Sequence, residues 1–245
     1  MIYYLYDGTF EGLLTAIYEA YYRREKPAFI MRAEEYEANL FSRPVIIITD
    51  SEKSDKVYRS IEDKISRQAL RHVYYAYLSD IKGVATLIYR YLQLGWQVGA
   101  ELDSQLFREP VREMLAIYQR VSKERHRMLG LLRFCKLTGE IYFATCEPDH
   151  NIVGLVAPHF ARRLADQNWV IYDQKRGLAA VYNQREWFIT NLNLSGQLLY
   201  EENEKIYQQL WKQYFAGTAI QDRLNPKLQR QFMPVRYWKH LVEKN

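Results

Sequence analysis

The sequence predicts an α+β protein, on three observations. An apolar run, Ile2–Tyr6, passes through Asp7-Gly8-Thr9 into an amphipathic stretch, the pattern of strand, turn and capped helix. Residues 67–125 then carry apolar side chains at helical spacing throughout. After His126 the pattern breaks into short β-rich runs separated by turn residues, with one helical stretch among them. The expected architecture is a small N-terminal strand–helix–strand unit, a helical middle, an antiparallel sheet with a kinked helix, and a helical C-terminal tail. Residues 1–125 form the mixed and helical part, 126–195 the sheet with its helix, and 196–245 a helical basic segment.

Each element has a local reason. Phe10, Leu13, Leu14, Ile17, Tyr18 and Tyr21 recur at helical spacing after Thr9. Arg43-Pro44 precedes a second strand, Val45 to Thr49, and Asp50 or Ser51 can cap the next helix, which carries Val57, Ile61 and Ile65. Val73, Tyr77, Ile81, Val84, Ile88, Tyr91 and Leu92 keep a 3.6 period, with a break near Ser79 and an end at Gly95 to Gly99. Pro110 opens a helix with Val111, Leu115, Tyr118 and Val121. Strands are expected at 129–137 and 140–146 around Thr138-Gly139, a helix at 151–165, and three strands at 169–173, 178–182 and 186–190. Helices return at 202–217, and Asn225-Pro226 and Met233-Pro234 mark two further helix starts.

Composition narrows the functional classes. The 245 residues are 48% hydrophobic and 26% charged, as in ordinary globular proteins. No run of eighteen apolar residues exists, and the N-terminal sequence lacks the pattern of a signal peptide, so a cytoplasmic location is expected. The two cysteines, Cys135 and Cys146, flank a turn whose pairing sets Cys135 opposite a residue near Tyr142, so no disulfide is expected. Neither GxGxxG nor a Walker pattern occurs, which argues against an ordinary nucleotide-dependent enzyme, and no cofactor is expected. The net charge is +5, and residues 223–245 alone carry that excess, with Arg223, Lys227, Arg230, Arg236, Lys239 and Lys244 against Glu243. A basic segment on a neutral body suggests a polyanionic partner or a solvated tail.

The densest chemistry lies in EPDHNIVGLVAPHFARR, Glu147 to Arg163. Ile152, Val156, Phe160 and Leu164 form the buried stripe of its helix, and His159, Arg162, Arg163 and Asp166 share the other face. Pro158 removes one helical hydrogen bond and kinks the helix or starts a new one. Asp149 is placed as an N-cap, and the helix N-terminus offers N–H donors to an anion. His159, Arg162 and Arg163 are therefore candidate phosphate contacts, joined by Lys175 and Arg176 in a turn of the same sheet. A sharper reading makes Glu147, Asp149 and His150 acid–base groups acting on DNA. The plain alternative is a cap at Asp149 and ion pairs of Arg162 or Arg163 with Asp166 or Glu147. His150 and His159 are nine residues apart, which is not the spacing of a helical zinc pair, so no metal site is assigned.

Two further constellations surround this one. In the C-terminal segment Arg230, Arg236 and Lys239 alternate with Phe232, Tyr237 and Trp238. Cations neutralise phosphates and aromatic faces stack on bases, but docking of Leu224, Leu228, Phe232 and Trp238 on a core is the readier account of the aromatics, and it leaves the cations free to bind. Glu124-Arg125-His126-Arg127 closes a long helix, where the dipole favours its cations, and forms a possible rim of the same site.

Longer stretches carry a resemblance. YDGTFEGLL at Tyr6–Leu14, HRMLGLLRF at His126–Phe134, EPDHNI at Glu147–Ile152, APHFARRLADQNWVIYD at Ala157–Asp173, Lys175-Arg176-Gly177 and NPKLQRQFMPVRYWKHL at Asn225–Leu241 resemble a bacterial family of DNA repair and DNA metabolism proteins. That family is usually encoded beside a radical SAM protein related to spore photoproduct lyase, and its later part occurs joined to a uracil-DNA glycosylase-like domain in other bacteria. The resemblance implies DNA repair or modification as partner of the radical SAM enzyme, and a catalytic role for no residue. The chain lacks the CxxxCxxC cluster, so radical chemistry would belong to the partner, and it has no separate glycosylase domain. The leading expectation is a DNA-binding accessory protein. Its alternatives are an enzyme cleaving DNA or excising bases, and a protein-interaction scaffold.

Overall fold

In the computed structural model, which describes residues 1–23, 26–194, 199–218 and 225–244, strand β1 (Ile2–Tyr6) lies at the centre of a three-stranded parallel sheet. Its neighbours are β2 (Phe29–Arg32) and β3 (Arg43–Ile46), in the order β2-β1-β3. Strand β2 escapes the sequence pattern because only Ile30 of its four residues is buried, so no alternation marks it. Pro44 is tolerated because β3 is an edge strand, where a missing N–H breaks no ladder. Helix α1 (Phe10–Tyr22) buries Leu13, Leu14 and Ile17. Its cap is Thr9, whose side chain accepts from the Gly12 N–H at 2.9 Å. Thr9→Ala is expected to remove about 1 kcal/mol of stability, typical of a lost cap. The check is chemical denaturation, and an unshifted midpoint would argue against the cap's importance.

Helices α2 (Ser51–Lys64, capped by Asp50), α3 (Arg67–Tyr77), α4 (Val84–Val98) and α5 (Glu109–Leu131) follow. The chain divides into two compact units, Met1–Ser122 and Lys123–Asn245, and α5 begins in the first and ends in the second. The expected strand at 129–137 is therefore shorter. The helix runs to Leu131, and β4 occupies only Cys135–Leu137.

In the second unit a five-stranded sheet has the order β4-β5-β6-β7-β8, with β5 (Ile141–Cys146), β6 (Asn168–Asp173), β7 (Leu178–Asn183) and β8 (Trp187–Asn191). The sheet is mixed, not antiparallel as expected. Helix α6 (Val153–Arg163) connects β5 to β6 as a crossover, and such a connection returns the chain in the parallel sense. The other pairings are antiparallel, and Cys135 faces Phe143, so both cysteines are free thiols. Gly139, at φ +90°, makes the β4–β5 turn in the left-handed region that favours glycine. Along β6 the buried Trp169 stacks on Tyr182 at 5.2 Å, while the buried Tyr172 packs with Phe143 and Ala179 in a separate cluster. The alternation gives the sheet two apolar layers.

Helix α6 runs through Pro158 without starting a new helix, and its bounds are shorter than the expected 151–165. Helices α7 (Glu204–Gly217) and α8 (Pro226–Phe232, capped by Asn225) follow, and the start expected at Pro234 is a 3₁₀ turn, Val235–His240. Arg223 and Leu224 lie outside the described residues. Among the described residues no helix is long and apolar enough to cross a membrane.

Candidate nucleic-acid interface

The Glu147–His150 turn is organised by a residue from another element. Glu124, near the end of α5, is buried at 3% exposure. Its carboxylate accepts the backbone N–H of Asp149 at 2.8 Å and of His150 at 2.9 Å. The Tyr237 hydroxyl donates to the same group, and Arg236 lies 3.7 Å from it. Loop N–H groups ahead of α6 do hold an anion, but that anion is the protein's own glutamate. Burial, followed by the hydrogen bond to Glu124 and then its charge, pushes the Tyr237 hydroxyl well above the usual phenol range, so it stays a donor.

The acids of the turn are also engaged. Glu147 pairs with Lys239 at 2.6 Å and faces His240 Nε2 at 3.5 Å. The Asp149 carboxylate meets Arg236 at 2.6 Å instead of capping α6, whose N-cap residue is Ile152 and has no side-chain cap bond. His150 Nε2 stands 4.0 Å from Glu124. Glu147, Asp149 and His150 are thus close in space, but two cations from the C-terminal segment neutralise the carboxylates. That arrangement suits an electrostatic clasp better than proton transfer.

Arg176 serves the same clasp. It bonds the fully buried Asp173 at 2.8 Å, the Pro148 carbonyl at 3.1 Å and the Asp149 carbonyl at 2.7 Å. Burial raises the Asp173 carboxyl above its ordinary range despite Arg176 and the backbone donors of Lys175 and Arg176. Lys175 Nζ reaches the Asp149 carbonyl at 3.5 Å. Of the cations assigned to phosphate from sequence, Arg176, Arg236 and Lys239 therefore hold the turn. Tyr237 is buried and Trp238 half-buried, with its Nε1 donating to the Met233 carbonyl at 2.9 Å and Lys244 over its ring at 4.8 Å. Neither offers an open face for a base. Arg230 is exposed on α8, as are Leu228 and Phe232.

The other end of α6 is different. Arg162 and Arg163 are exposed in its last turn, with His159 one turn earlier. Among the described residues neither arginine has an ion pair, including the expected ones with Asp166 or Glu147. The helix dipole favours cations here. Arg125 extends the group from α5, its Nε donating to the Leu155 carbonyl at 3.0 Å. Burial, then the charges of Arg163, Arg162 and Arg125, hold His159 below its ordinary 6.5. The face is a concentrated positive field that disfavours a further proton on the imidazole. Arg163 also lines a cavity of about 700 Å³.

Sequence reasoning placed Glu124 on the rim and missed its central role. The signal was present in α5, where Ile117, Val121, Glu124, Met128 and Leu131 share one buried stripe. A lone acid on an apolar stripe needs partners. Among the described residues no group of three His, Cys, Asp or Glu gathers as a metal site.

No curated protein matches the sequence. A family model described as a domain of unknown function, DUF4130, matches residues 82–243, and the chain belongs to that family.

Proposed function

We propose that this protein is a DNA-binding accessory protein in DNA repair or modification, working with a radical SAM enzyme that acts on DNA lesions. The observation that carries the DNA-binding part is the face formed by His159, Arg162 and Arg163 with Arg125, where the two terminal arginines have no carboxylate partner among the described residues. Phosphates can take bidentate hydrogen bonds from guanidinium groups without first breaking an ion pair. Arg236 and Lys239, with side chains 49% and 57% exposed, can add weaker contacts while keeping their acids. The radical SAM partner rests on the resemblance of the motifs.

The first test is equilibrium binding of a fluorescent DNA duplex to the purified chain. Salt-sensitive binding supports the proposal. Co-purification of the radical SAM protein without any DNA binding would favour the scaffold alternative instead.

The imidazole supplies a second expectation. A phosphate beside His159 stabilises its protonated form, so its proton affinity is higher in the complex than in the free protein, where it is depressed. Binding then takes up protons, and affinity should rise as pH falls below neutrality through the imidazole range. His159→Gln should flatten that dependence. An equally steep profile in the variant would remove His159 from the interface.

A further inference from the structure

We infer that the cavity beside α7 binds a nucleotide unit, its base among aromatic side chains and its phosphate in an adjoining cationic recess. The cavity, about 700 Å³, falls within the usual range of small-ligand pockets. Tyr142, Tyr207 and Trp211 line it beside the buried Phe160, and with Arg133 over the Trp211 ring at 5.3 Å it is the exposed Tyr207 that offers a planar heteroaromatic ring a face to stack on. The recess, about 230 Å³, is lined by Arg133, Lys212, Lys239 and His240. Arg133, Gln208 and Val242 belong to both walls, so the two spaces adjoin.

The details fit that ligand. The carboxylates of the cavity wall are already satisfied: Glu201 pairs with Lys136 at 3.1 Å, and Glu204 accepts the Lys136 N–H at 2.8 Å and the Gln208 amide at 3.0 Å. They would not repel an anion as strongly as bare acids. Gln208 spends its NH₂ on Glu204, which leaves its carbonyl to accept from an exocyclic amine of a base. In the recess, the buried His240 Nε2 makes no full hydrogen bond among the described residues and stands 3.5 Å from Glu147. Arg133 is fixed by Glu243 at 2.6 Å, which orients a guanidinium at the boundary of the two spaces. Arg163 joins the cavity to the cationic face of α6.

This inference rests in part on the DNA reading, since the unit can be a free mononucleotide or a nucleotide turned out of a strand. Tyr207 and Lys212 are exposed, so Tyr207→Ala and Lys212→Ala should leave the fold intact. Calorimetric titration of the full chain with each of the four deoxynucleoside monophosphates gives the first arm. Binding of a mismatched duplex relative to its fully paired counterpart gives the second. We expect at least one arm to show binding or mismatch preference that falls about tenfold in each variant, the size of one stacking or phosphate contact. Monophosphate binding without duplex binding would place a free nucleotide in the cavity and sink the DNA reading. Mismatch preference alone would assign an extruded nucleotide. Duplex binding with neither arm sensitive to Tyr207→Ala would overturn the cavity inference and leave the DNA reading standing.

Discussion

Replacing Glu124 with alanine is expected to cost about 3–5 kcal/mol of stability, the range for removing one partner of a buried charged cluster. The residue is buried, and its carboxylate takes three hydrogen bonds, from the Asp149 and His150 backbones and from Tyr237. Alanine leaves those donors without an acceptor, and it leaves Asp149 as the one carboxylate beside Arg236 among the described residues. Each unsatisfied buried donor costs about 1–3 kcal/mol. For a chain of this size the thermal midpoint should fall by about 10 °C. Glu124→Gln keeps the shape and one accepting oxygen, so its loss should be roughly half as large. A Glu124→Ala protein that melts with the wild type would show that Arg176, Arg236 and Lys239 hold the turn without Glu124.

The second large effect concerns function. Arg162→Ala combined with Arg163→Ala removes two guanidinium contacts to phosphate. At about 1.5 kcal/mol for each charge-assisted bond, the loss in DNA affinity is about 100-fold at low salt. Both side chains are exposed and have no ion pair among the described residues, so the fold should tolerate the change. This separates the pair from Arg176, where substitution would strand the buried Asp173 and confound binding with misfolding.

Much of the fold was legible in local patterns. Thr9 and Asn225 are helix starts in the sequence and caps in the structure, and of Asp50 and Ser51 it is Asp50 that caps, because capping depends on residues only three positions apart. The buried stripe of α6 at Val156 and Phe160 follows from helical spacing alone. Long-range partners were not legible. The parallel pairing of β5 with β6 depends on where α6 carries the chain, and the β-rich look of Leu129–Leu131 was overridden by continuation of α5. The site divides along the same line. The shared face of His159, Arg162 and Arg163 is an intrahelical fact. The engagement of Glu147 by Lys239, 92 positions away, and of Glu124 by Tyr237, 113 positions away, is a tertiary one. Two sets of charges that are far apart in sequence largely neutralise each other in space.

The measurement that tests the central claim most directly is the salt dependence of duplex binding for the wild type and the Arg162→Ala, Arg163→Ala double variant, with melting curves for both. Each phosphate neutralised contributes about 0.9 to the slope of log affinity against log salt, so the variant's slope should be shallower by about 1.8. The predicted result is that change with unchanged melting, the two affinities converging as salt rises. Equal slopes and equal affinities for two equally stable proteins would contradict the account.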